Sequence, residues 1–149
     1  MAIHVELQYA FRDKNIPGSS VIKSWVRAAL CDLRKNAELT VRIVDKDEMA
    51  ELNQRWRQAS GTTNVLSFPA TGTESIVPDL LGDIVICAPV VEKEAQQQNK
   101  SLTGHWAHMV IHGVLHLLGY DHNEENDAEI MENLEIQILA KLGIENPYI

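Results

Sequence analysis

At 149 residues, 45% of them apolar and 23% charged, the chain has the size and composition of one globular domain with a substantial core. We expect neither a secretory leader nor a membrane span, since the first residues lack the basic-then-apolar order of a leader and no apolar run reaches bilayer length. Cys31 and Cys87 are too few and too isolated for a disulfide framework or a cysteine zinc site, and are expected as small core residues in a reducing cytoplasm.

In chain order, alternation over residues 3–9 predicts a strand. Pro17-Gly18-Ser19-Ser20 offers a turn and an N-cap, after which Val21, Ile22, Trp25, Val26, Ala29, Leu30 and Leu33 recur at helical spacing. Residues 39–44 read as a second strand with Leu39, Val41 and Ile43 on one face. Asp45-Lys-Asp-Glu48 resembles a capping box, with Asp45 in the Ser/Thr place, and opens a helix carrying Met49, Leu52 and Trp56. A loop containing Gly61 leads to a strand over residues 64–68, stopped by Pro69. Residues 70–78 read as a surface loop, 82–87 as an apolar strand, 89–99 as a helix and 102–118 as another. A last helix over 124–142 turns Ile130, Met131, Leu134, Ile138 and Leu142 inward and stops at Gly143. No repeat or linker interrupts residues 1–149, so the expectation is one α/β (or α+β) domain, a mixed sheet of about four strands packed by about five helices. Strand order stays open.

The net charge of −8 counts at first against a nucleic-acid partner. It is unevenly spread: residues 1–60 carry 10 of the 13 Lys and Arg against 8 acids, and residues 61–149 the remaining 3 bases against 13 acids. Much of that acid, between residues 124 and 135, reads as the solvated face of the terminal helix. A basic surface including Arg42, Lys46, Arg55 and Arg57 leaves phosphate binding open. The charge pattern permits RNA without predicting it.

The most informative segment is His112-Gly-Val-Leu-His116-Leu-Leu-Gly119-Tyr-Asp-His122. Two histidines four apart on a helix lie about 40° apart around it and about 6 Å apart along it, so their imidazoles can meet on one cation. Gly119 tolerates the positive φ that ends a helix, and the reversal can bring His122 to the same ion. Three neutral histidines with an open fourth position suit a catalytic zinc site, which points to a metal-dependent hydrolase. The spacing is that of the H-E-x-x-H-x-x-G-x-x-H zinc peptidases, yet Gly113 stands where those enzymes carry the glutamate base. The metal cage therefore survives without the usual machinery for peptide hydrolysis. His108 also lies four before His112, but His108 and His116 are about 12 Å apart along the axis. We therefore read His122 as third ligand, His108 as a supporting or packing residue and His105 as structural or solvent-facing.

The chain resembles the YbeY family of rRNA maturation factors, metal-dependent endoribonucleases. The resemblance spans almost the whole chain. It is carried by the histidine segment, by Thr63-Asn-Val-Leu-Ser-Phe-Pro69, by Leu81-Gly-Asp-Ile-Val-Ile-Cys87, by Leu52-Asn-Gln-Arg-Trp-Arg57 and by the Asn-Pro-Tyr ending. Many members have Asp where this chain has Asn64. The resemblance implies that His112, His116 and His122 are zinc ligands, one ion per chain, and that Arg57 acts beside the metal. It also implies action on single-stranded RNA, in small-subunit ribosomal RNA 3′-end maturation and ribosome quality control. Implied partners are the small ribosomal subunit and its assembly factors, in the cytoplasm and without a membrane.

A divalent cation and a guanidinium suit phosphodiester cleavage, because both stabilise charge that grows on non-bridging oxygens. Imidazole ligands also accept nickel or another transition metal. Asp121 either orients a histidine or caps the next element. Asp83 is read as a strand-end turn residue and Ser67 as a strand residue. Attack by activated water and attack by the RNA's own 2′-hydroxyl both stay open. Two competing functions remain, a metal-dependent hydrolase of another substrate class and a non-catalytic ribosome-assembly factor with a structural metal.

Overall fold

The alternation that begins at Ile3 produces a strand, β1 (Ala2–Tyr9), which half-buries Ile3, Val5 and Leu7 and leaves His4 and Glu6 exposed. The computed structural model describes residues 2–70, 77–121 and 124–149. β1 pairs in parallel with β2 (Asn36–Val44), which pairs in parallel with β4 (Leu80–Cys87). β3 (Val65–Pro69) joins β4 antiparallel, so the four-stranded mixed sheet runs β1-β2-β4-β3. Parallel neighbours need a crossover. α1 (Ser19–Leu30) supplies the one between β1 and β2, and α2 (Lys46–Arg57) with β3 lies between β2 and β4.

Each sheet face has its own core. Leu39, Val41, Ile43, Ile84 and Ile86 pack with Ile22, Trp25 and Val26 of α1 and with Val110, Ile111 and Val114 of α4 (Leu102–Leu117). On the opposite face Val44, Leu66, Val85 and Cys87 pack with Met49 and Leu52 of α2. The remainder of that second face stays polar, with Thr40, Arg42 and Asp83 on the same parity as Val44 and Val85. α3 (Ala88–Gln97) follows β4 directly, and α5 (Glu125–Lys141) packs on α4.

α4 is the central helix, in contact with α1, α3, α5, β3 and β4. It is apolar around most of its circumference, as an enclosed helix should be. Ser101 caps its start by accepting from the Gly104 amide at 3.0 Å. At its end the Gly119 amide bonds the His116 carbonyl and the Tyr120 amide bonds the Leu115 carbonyl, a closure that uses Gly119 at φ +100°.

Several expectations are corrected. Cys31 is exposed rather than in the core, whereas Cys87 is buried. Asp83 lies within β4, not at a strand-end turn. Pro69 is the last residue of edge strand β3 rather than its stop. Asp45 does cap α2, accepting from the Glu48 amide at 2.9 Å. The Glu48 carboxylate completes no box, because it pairs with Arg42 at 2.6 Å instead. Arg42 is thereby removed from the expected basic surface. On α5, Ile130 is 53% exposed and Glu135 fully buried. The inward stripe runs through Met131, Glu135 and Ile138, so treating Glu135 as a solvated acid displaced it by one position. Of the loop expected over residues 70–78, 71–76 lie outside the described residues.

Candidate active site

The helical spacing of the histidines puts their rings in a row along α4. His112 and His116 meet with ring centroids 4.5 Å apart and their Nε2 atoms 3.0 Å apart. The other edge of His112 is fixed from behind: its Nδ1 lies 2.8 Å from Glu135 Oε2. His108 Nε2 approaches the same oxygen at 3.1 Å, and the Tyr148 hydroxyl donates to Glu135 Oε1. Burial by itself would raise the pKa of Glu135. The hydrogen bonds from His108, His112 and Tyr148 overcome it and hold the carboxyl down at about 2. The Tyr148 hydroxyl is pushed up, first by burial and then by the bond to Glu135. Glu135 is thus a buried carboxylate that holds His112 with Nδ1–H as donor and leaves Nε2 as the lone-pair edge.

Both rings line a cleft of about 580 Å³, together with Arg57, Asn64, Ser67 and Asp121 among others, and at 3.0 Å the His112 Nε2 lone pair accepts from His116 Nε2–H. Arg57, the last residue of α2, makes no ion pair among the described residues. Asp121 is the one carboxylate among the described residues of the wall. Asn64 gives its amide to both oxygens of Glu94, at 3.1 and 3.2 Å, which a carboxylate at this position could not do. Glu94 also holds buried His105 at 2.9 Å, so His105 is structural. The Ser67 hydroxyl donates to the Gly113 carbonyl at 3.1 Å and ties β3 to α4.

Gly113 also explains the missing peptidase base. A Cβ built there would lie 2.8 Å from Ile84 Cγ2, so this side of α4 is pressed onto the sheet and a glutamate has no room.

His122 lies outside the described residues, so its place relative to His112 and His116 is not part of the geometry. Among the described residues, His108, His112 and Glu135 form a group whose donor atoms lie within 4.8 Å of one another and could hold a metal ion. Two donor groupings therefore share His112. In the buried one, the N···O distances are those of hydrogen bonds and the carboxylate has no exposure. On the cleft side, two Nε2 atoms 3.0 Å apart can both reach one ion at metal–imidazole distances of about 2.0–2.1 Å. A donor set rich in imidazole fits a transition metal such as zinc better than magnesium or calcium. Sequence reasoning missed Glu135 and Tyr148. The available signal was an acid on the apolar stripe of α5.

Comparison with known proteins fits this geometry. The family model described as "Endoribonuclease YbeY" matches residues 8–143. This chain belongs to the YbeY family. It is 57% identical over 133 residues to the endoribonuclease YbeY of Methylococcus capsulatus, covering 89% of this chain and 87% of that protein. It is 49% identical to the endoribonuclease YbeY of Psychromonas ingrahamii, covering 100% and 98% of the two chains. A solution structure from Thermotoga maritima is similar with a TM-score of 0.62 and 28% identity, covering 95% of this chain and 91% of that one. YbeY relatives therefore match the chain through the described elements, and the family is one of endoribonucleases. No helix among the described residues is long and apolar enough to cross a membrane.

Proposed function

We propose that residues 1–149 form a single zinc-dependent endoribonuclease domain specific for single-stranded RNA. Its task is small-subunit ribosomal RNA 3′-end maturation and ribosome quality control, in the cytoplasm with the small subunit and its assembly factors. The observation that carries the chemistry is the convergence of His112 and His116 Nε2, 3.0 Å apart, in a cleft that Arg57 also lines.

In this reading His112, His116 and His122 hold one divalent ion, zinc by preference, with nickel or another transition metal chemically acceptable. When bound, the ion supplies Lewis-acid stabilisation of the charge that grows on the phosphodiester. Arg57 offers two parallel N–H donors to the same phosphate and adds to that stabilisation at the transition state. Glu135 keeps His112 oriented, a role that acts through the ligand and not on RNA.

Metal-replete protein assayed on single-stranded RNA, beside His116→Ala, tests the reading. Cleavage lost in a variant that stays folded supports it, and cleavage equal to wild type overturns it. If both proteins are inactive and His116→Ala unfolds, a non-catalytic assembly factor with a structural metal takes its place.

The buried grouping sets up a second reading for the ion. Elemental analysis separates the two, because His108→Ala should spare metal content if the ion sits on the cleft side and abolish it if the ion sits against Glu135. His122→Ala with undiminished metal rules out His122 as third ligand.

A further inference from the structure

The open part of the second sheet face holds a groove of about 600 Å³ that the proposed reaction does not use. Its walls include Trp56, Phe68, Leu52, Arg42 and Asp83. Trp56 is 63% exposed at the last turn of α2 and meets Phe68 edge-to-face, with centroids 6.3 Å apart and planes at 72°. A large aromatic side chain so exposed yet braced by a second ring is a flat platform with a set orientation. The charges beside it are mostly spent. Arg42 gives Nε and one terminal nitrogen to Glu48, at 2.6 and 3.1 Å, and the other terminal nitrogen to Gln8 at 3.0 Å. The Asp83 side chain is exposed on β4 and makes no ion pair or hydrogen bond among the described residues. One cation against two acids gives the groove a slightly negative balance, which suits a neutral ring with N–H donors and repels a phosphate.

The groove adjoins the histidine cleft. β3 is the edge strand, and its Ser67 and Pro69 line both cavities, one on each side of that edge. Trp56 lines the groove while its neighbour Arg57 lines the cleft. Single-stranded RNA presents this same alternation, with charged phosphates along one track and uncharged bases that splay away to stack on aromatic rings.

We propose that this groove is a nucleobase subsite. A base of the single-stranded RNA stacks on Trp56 and gives Watson–Crick-edge N–H groups to Asp83, while the backbone rounds the β3 edge to reach Arg57. Guanine is the best occupant, because its N1–H and N2–H can both be accepted by one carboxylate, whereas adenine and cytosine also turn an acceptor toward it. This rests on the endoribonuclease reading for the nature of the ligand, and it adds a specificity determinant on the far side of β3.

The test uses single-stranded 2′-O-methyl uridine octamers carrying one guanine, or one abasic residue, at each position in turn. Trp25 and Trp106 are buried, so acrylamide quenching of tryptophan fluorescence reports on Trp56. Bound octamer should shield Trp56 from acrylamide. At one position guanine should tighten binding and the abasic residue should weaken it about tenfold, the scale of one base–aromatic stack. Trp56→Ala should erase the dependence on that position, Trp56→Phe should retain most of it, and Asp83→Asn should remove the advantage of guanine but keep the stack. With cleavable RNA the loss in Trp56→Ala should fall on KM more than on kcat, with metal content unchanged.

The subsite is overturned if bound octamer leaves Trp56 as quenchable as before, or if Trp56→Ala binds the whole series as wild type does. Its failure is distinguishable from failure of the endoribonuclease reading, which would appear as no His116-dependent cleavage whatever the octamers do. Should Trp56→Ala not fold, quenching of the wild type and the Trp56→Phe and Asp83→Asn series still decide.

Discussion

Glu135 and His112 are joined at 2.8 Å through the ring edge that faces away from the cleft, so a residue with no exposure sets the orientation of one that lines the candidate site. Glu135→Gln keeps the volume and loses the charge. It should lower metal affinity about 10- to 100-fold, the usual cost of losing a carboxylate behind a ligating histidine, measured by chelator competition. Glu135→Ala should also destabilise the fold by about 3–5 kcal/mol, since His108 and Tyr148 lose a shared buried partner. Equal chelator sensitivity in wild type and Glu135→Gln would remove Glu135 from the site.

Gly113 is fixed by packing rather than by chemistry. Gly113→Ala should cost about 1–3 kcal/mol, because a Cβ at 2.8 Å from Ile84 overpacks the helix–sheet contact. Ile84→Ala in the same chain should recover part of that loss, read from urea midpoints at constant m. Gly113→Glu should give a poorly folded protein and no peptidase activity. A stable Gly113→Glu would contradict the close approach of α4 to β4.

For Arg57 the proposal separates contact from diffuse attraction. Arg57→Ala should lose most turnover with metal content and Tm nearly unchanged, and Arg57→Lys should recover only part, because an ammonium lacks the planar two-point contact. If the role is only long-range attraction, the variant instead binds RNA more weakly with a shallower salt dependence and keeps its turnover at saturation.

The fold should weaken in mild acid, and His105 contributes to that. Burial holds its pKa below the ordinary 6.5, against the opposing pull of Glu94, so the folded protein favours the neutral ring. Below about pH 6.5 the unfolded chain takes up a proton that the folded one resists, and stability falls as pH drops from there toward the depressed folded value. The slope of unfolding free energy against pH between 7.5 and 5.5 should be smaller in His105→Gln than in wild type. Identical slopes would mean that His105 titrates alike in both states.

Much of this was legible because periodicity reports burial directly. Alternation marked β1 and β2, a 3.6-residue stripe marked α1, and glycine after an apolar helix marked the end of α4. The convergence of His112 and His116 followed from helical geometry alone. What escaped was tertiary. Glu135 looks like its acidic neighbours until α5 docks on α4, and only then does its position between Met131 and Ile138 place a carboxylate behind the histidines. Arg42 looked available for phosphate because its pairing with Glu48 and Gln8 joins three different elements. Strand order was out of reach because the pairing of β2 with β4 skips β3, and local pattern carries no record of such a skip.

The enclosure of α4 on nearly every side has a dynamic consequence. Its amides should belong to the slowest-exchanging set in the protein, opening only when the whole domain opens. The backbone positions of His112 and His116 are therefore as fixed as the core itself, and their half-buried rings can follow a ligand only by turning about their own side-chain bonds. Adjustment to differently shaped RNA then falls on the opposite bank, where α2 ends at Arg57 and β3 is the outermost strand of the sheet among the described residues, and exchange measured with and without RNA should change there and not along α4.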